Sequence, residues 1–145
     1  MLFRSFGVRR DEDWRTAIAY LAGQAQGDDG YIFISRRNHL PWQYYAPRFG
    51  KNPLQIDDIE PFDWHDLASS RTYRAPAFSR ADLDRFSARH QRIWLVLSHE
   101  FDAYEEQDER GDTSSWVRDR LTRNGFAARQ RIFPAIRILL YERRR

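Results

Sequence analysis

The chain has 145 residues, 41% of them hydrophobic and 15% aromatic, and a formal net charge of +3. That length suits one domain with its own core, and the apolar content excludes a disordered chain. The absence of cysteine excludes disulfides, thiolate chemistry and cysteine-ligated zinc. All basic residues except Lys51 are arginine. They are interleaved with Asp and Glu, so no basic stripe forms and nucleic acid is not expected as a partner. No apolar run approaches the roughly 20 residues of a membrane span. Met1 to Phe6 is too short and too polar for a signal-peptide core.

Asp11-Glu12-Asp13 places acids and cap candidates before Trp14, Ala17, Ile18, Leu21 and Ala25, whose spacing predicts a helix over 13–26. Gly27 to Gly30 then turns the chain. Tyr31 to Ser35 is apolar along most of its length, as expected of a strand buried on both faces. Leu40 to Ala46 reads as a short helix with Pro41 in its first turn, closed by Pro47. The stretch 51–77 is broken by Pro53, Pro61 and Pro76, with a brief strand expected at Leu54 to Ile56. Ser79 with Asp82 forms a capping-box pattern ahead of Leu83, Phe86 and His90. Ile93 to Ser98 is the clearest strand and belongs in a central parallel position. The acidic segment 100–112 is expected as an exposed loop, followed by a helix capped at Thr113 or Ser114 and ended by Gly125. Two closing strands are expected at Arg129 to Phe133 and Ile136 to Glu142, the last less enclosed than the others.

Helices and strands in this alternation imply an α/β fold. The expectation is a three-layer, Rossmann-like sandwich with a mostly parallel sheet and a C-terminal antiparallel hairpin.

Catalytic motifs are missing from the sequence. Gly23, Gly27 and Gly30 follow a helix rather than a strand and read as turn glycines, not a dinucleotide fingerprint. His39, His65, His90 and His99 lack the spacing that sets two imidazoles on one face, so no metal or other cofactor is expected, and His90 reads as a packing residue. The acidic run Glu105, Glu106, Asp108 and Glu109 lacks the alternating ligands of a calcium loop.

The segment after the first strand is richer. Arg36, Arg37, His39, Trp42 and Tyr45 follow the carboxyl end of a strand, where open α/β sheets bind ligands. Arginine suits a phosphate and an aromatic ring suits a sugar face. The plain alternative is that the aromatics pack and the arginines are solvated. His99 and Glu100 follow the second clear strand and belong to the same edge. Convergence of His39, His99 and Glu100 in a deep pocket is what a soluble enzyme would require. The terminal Arg143, Arg144 and Arg145 are either a solvated tail or a contact with anionic lipid headgroups.

Asp13-Trp14-Arg15 with Ala19-Tyr20-Leu21, then Tyr44-Tyr45, then Arg92 to His99, then Phe133 with Ile136 to Arg143, resemble successive blocks of one domain. It is the soluble C-terminal domain of bacterial polytopic membrane glycosyltransferases related to protein mannosyltransferases and aminoarabinose transferases. Their order and spacing carry more than any one block. The resemblance implies that residues 1–10 are a linker or the exit from a membrane span and that 11–145 form one soluble α/β domain. It implies a domain on the extracytoplasmic, periplasmic face of the inner membrane, accessory to glycosyl transfer from a lipid-linked sugar donor. Its partners would be the membrane-embedded portion and the donor or acceptor. In that family the catalytic carboxylates belong to the membrane portion, so no catalytic residue is assigned here. Should Met1 be the natural start, the expectation becomes a stand-alone cytoplasmic module for a phosphorylated or sugar ligand.

Overall fold

The structure is a computed structural model that describes residues 13–34, 39–59, 79–98 and 109–145, with side chains in the last segment from 115 onward. In chain order these form α1 (Trp14–Gln24), β1 (Gly30–Phe33), α2 (His39–Tyr45) running into a 3-10 turn (Ala46–Phe49), and β2 (Asp57–Ile59). Then come α3 (Arg80–Ala88), β3 (Arg92–Ser98), α4 (Glu109–Arg123), β4 (Phe126–Phe133) and β5 (Ile136–Arg143).

The strands form one five-stranded sheet in the order β2-β1-β3-β5-β4. β1 is parallel to both β2 and β3, and β5 is antiparallel to both β3 and β4. Thus β4 runs with β1, β2 and β3, and β5 alone is reversed. The fold is therefore α/β with a mixed sheet that ends in an antiparallel hairpin. Tyr31 sits beside Trp94 and Phe33 beside Val96, so the two apolar runs are parallel neighbours.

Strand alternation divides the core in two. Tyr31, Phe33, Trp94, Val96, Ile138 and Leu140 pack with Ala17, Ile18 and Leu21 of α1 and Trp42 of α2. Ile32, Ile93, Leu95, Leu97, Leu139 and Tyr141 pack with Leu83 and Phe86 of α3 and Val117 and Leu121 of α4. β3 is buried from Ile93 to Leu97 because helices meet both of its faces.

Local chemistry fixes the helix ends. The Asp13 carboxylate accepts from the Thr16 amide at 3.1 Å and starts α1. At α3 the capping box is complete: the Asp82 amide donates to Ser79 Oγ at 3.1 Å, and the Ser79 amide donates to the Asp82 carboxylate at 2.8 Å. Gly125, at φ +96, terminates α4 in the left-handed region. The last turn of α1 is tied to the start of β3, where Arg92 Nη2 donates to the Gln24 carbonyl at 2.8 Å. An α1 of 11 residues is about 16 Å long, so Asp13 lies toward the carboxyl ends of β1 and β3.

Four expectations change. The strand looked for at Leu54 to Ile56 forms at Asp57–Ile59 instead, paired with the amino end of β1. The helix expected from Thr113 or Ser114 already runs from Glu109, inside the segment read as acidic loop. β5 is not less enclosed, because it lies between β3 and β4, and Leu139 and Tyr141 are buried against α3 and α4. Gly30 is a strand residue rather than a turn residue. A Cβ there would lie 2.6 Å from His90 Cδ2 and 2.8 Å from Phe86 Cζ, so the missing side chain lets α3 close onto β1.

Candidate functional site

The carboxyl ends of β1 and β3 lie side by side, and the Ile34 amide extends their ladder to the Val96 carbonyl at 3.3 Å. α2 opens at this edge with His39. Arg36, Arg37, His99 and Glu100 fall outside the described residues.

The residues of the edge that are described have separate roles. His39 is half-buried and acts on Asp58 of β2. The Asp58 carboxyl pKa is raised chiefly by desolvation; His39 pulls it down and Asp57 adds to the rise. Trp42 is 1% exposed and packs on the Tyr31 ring at 5.2 Å, so its faces are enclosed in the core rather than open to a sugar. Its Nε1 donor is buried without a hydrogen-bond partner among the described residues. Tyr45 is half-buried, with the Tyr44 ring set edge-on at 4.8 Å. Tyr44 itself is exposed, and Arg48 lies 4.7 Å above its ring while donating to its hydroxyl at 2.9 Å.

Tyr44, Arg48 and Asp58 were not among the candidates. Tyr44 and Arg48 stand four apart, a spacing that brings side chains together on a helical turn and was available in the sequence. Asp58 had no such signal, because its place in the sheet depends on β2 pairing with β1.

A second polar cluster occupies the opposite end of the sheet. Asp29, 4% exposed, accepts from Trp94 Nε1 at 2.7 Å, from the Gln26 amide at 2.9 Å and from Arg92 Nε at 3.1 Å. His90, 7% exposed, places Nε2 2.6 Å from the Asp57 carboxylate and Nδ1 2.7 Å from the Asp28 carbonyl. Arg89 binds the same Asp57 carboxylate through two bonds of 3.0 Å. Burial pushes the neighbouring Tyr31 phenol up, with the Asp29 charge adding to the rise and Arg92 opposing it. These bonds join β1, β2 and β3 at their amino ends.

Arg143 belongs to this end too, because β5 is reversed. Its Nη2 donates to the Ser87 and His90 carbonyls at 2.6 and 3.0 Å, and its guanidinium lies 4.4 Å above the Phe126 ring. It is thus held against the end of α3. Arg144 and Arg145 are exposed beside it. Among the described residues, no three His, Asp or Glu side chains gather in a metal-binding arrangement, and no helix is long and apolar enough to cross a membrane. No protein-family model and no curated protein matches the chain.

Proposed function

We propose that this chain is a non-catalytic accessory domain of a polytopic membrane glycosyltransferase, placed on the extracytoplasmic face. There it serves transfer from a lipid-linked sugar donor by binding acceptor or covering the active site. The observation that carries the reading is how the similar blocks assemble. α1, β3 and β5 are distant in sequence, yet β3 and β5 pair from Arg92–Glu142 to Ser98–Ile136, and Tyr20 of α1 meets Trp94 edge-on at 6.1 Å. The blocks therefore form one packed unit. In this reading the architecture is a three-layer, Rossmann-like sandwich. Asp13 lies toward the carboxyl end of the sheet, so in this reading the His39 edge faces the membrane portion. Arg144 and Arg145 then lie at the far end, where anionic lipid is a partner only for a domain lying on its side.

Translating the DNA upstream of Met1 tests this directly. A continuous frame encoding several apolar spans is expected, and an in-frame stop next to Met1 would remove the proposal.

A second reading is a binding module for a phosphorylated or sugar ligand at the same edge. Its support is the parallel pairing of β1 with β3, which sets their carboxyl ends side by side where α2 opens. Titration with a nucleotide sugar and with a polyprenyl phosphate, followed by NMR, should shift His39, Tyr44 and Tyr45. Unmoved resonances at all three would leave these residues as packing.

A further inference from the structure

α3 and α4 enclose a cleft of about 110 Å³ lined by Arg80, Trp116, Asp119, Arg120 and Arg123. Its three guanidinium groups differ in what holds them. Arg120 is anchored, donating through Nε and Nη2 to the two Asp84 oxygens at 2.9 and 2.7 Å. Asn124 also donates to Asp84, at 2.8 Å, so that carboxylate is occupied and neutralises Arg120. Among the described residues, Arg80 and Arg123 have no hydrogen bond or ion pair of this kind. Both are exposed and rooted on different helices. With Asp84 cancelling Arg120, the rest of the lining sets two cations against the single carboxylate of Asp119.

Like charges converging on one cleft repel, and an anion relieves them. A planar carboxylate matches the fork of one guanidinium. A tetrahedral oxyanion accepts from several directions, as donors on two helices require. Trp116, half-buried at the cleft wall, adds an apolar surface for the organic group beside the anion. The small volume and modest charge do not suit a polyanion.

We infer that this cleft binds a single phosphate group through Arg80 and Arg123, carried either by a soluble phosphate ester or by an anionic lipid headgroup. The site is separate from the His39 edge and does not depend on the accessory-domain reading.

The test is a titration of the full chain with inorganic phosphate and then methyl phosphate, followed by NMR at the Trp116 indole and the amides of Arg80 and Asp119 to Arg123. Saturable shifts are expected, weakening as ionic strength rises. Arg80→Gln and Arg123→Gln should each reduce affinity about tenfold. Arg118→Gln, on the same helix but outside the lining, should leave it unchanged. Unaltered amide dispersion in each variant would show that the fold is retained. Flotation with phosphatidylglycerol and phosphatidylcholine vesicles separates the sources. Binding to the anionic vesicles that both lining variants abolish identifies a headgroup, whereas phosphate binding without vesicle binding identifies a soluble ester. Non-saturating shifts, or equal responses from Arg118→Gln and the two lining variants, would overturn the inference.

Discussion

Asp29 shows how much one side chain settles. Burying a carboxylate is costly unless its lone pairs are taken up, and here an indole, a backbone amide and a guanidinium take them up. Replacing Asp29 with Ala leaves the Trp94 donor buried and unpaired and removes one of the three partners of Arg92, the others being the Gln24 carbonyl and Glu142. The expected loss is about 3 kcal/mol in urea denaturation, and a loss below about 1 kcal/mol would mean that water or Glu142 substitutes for the carboxylate. Ala135 carries the opposite kind of signal. It has φ 58, the left-handed region that disfavours a Cβ, and follows Pro134 in the turn between β4 and β5. Proline at the second position followed by a left-handed residue fits a type II turn, where glycine is preferred. Ala135→Gly should therefore stabilise the protein by about 1 kcal/mol, seen as a higher midpoint in thermal unfolding; a lower midpoint would contradict strain at this turn. Neither residue was legible in advance. Asp29 read as one turn residue among several, because its partners come from β3, 63 and 65 positions away.

Between elements, Asp84 joins α3 to α4. Hydrogen bonds from Arg120 first and Asn124 second hold its carboxyl down to about 2. An unfolded aspartate titrates near ~3.9. The folded pKa is the lower one, so the stabilisation is complete above the unfolded value and is lost as pH falls through the folded value. Asp84→Asn should thus be less stable than the wild type at neutral pH. The gap should narrow between about pH 4 and pH 2 when chemical denaturation is repeated across that range. A gap independent of pH would show that the carboxylate charge is not what links the helices. In the sequence Asp84 carries no more signal than any acid near the start of a helix. The periodicity of Leu83 and Phe86 did reveal the apolar face of α3, but not which helix its polar side would meet. Element positions were legible wherever apolar runs or caps marked them, as at α1, β1, α3, β3 and β5. β2 was misplaced because Asp57 and Asp58 resemble a turn, and only pairing with β1 makes them a strand.

Among the described residues the sheet is open, and its edges differ in length. β2 contributes three residues at one edge and β4 eight at the other. From Ala127 to Ile132, β4 is exposed on both faces, Ile132 at 58%. Such an edge is a template for pairing with another chain unless charge or shape prevents it. Arg129 and Arg131 share one face of the strand, and in antiparallel self-pairing they would oppose one another across the symmetry axis. Arg129→Val with Arg131→Val should therefore produce more high-mass species in light scattering than the wild type at equal concentration. If the mass distribution is unchanged, something other than these arginines guards the edge. The sequence by itself determined the α/β class, the two neighbouring interior strands and the caps of α1 and α3, because periodicity and capping are local and act within a few residues. Tertiary structure alone decided the rest. It enclosed Trp42, turned Arg143 inward, paired β2 with β1, and set Arg80 and Arg123 around one cleft. Each of these depends on which distant elements meet, and burial and charge are properties of that meeting rather than of any residue alone.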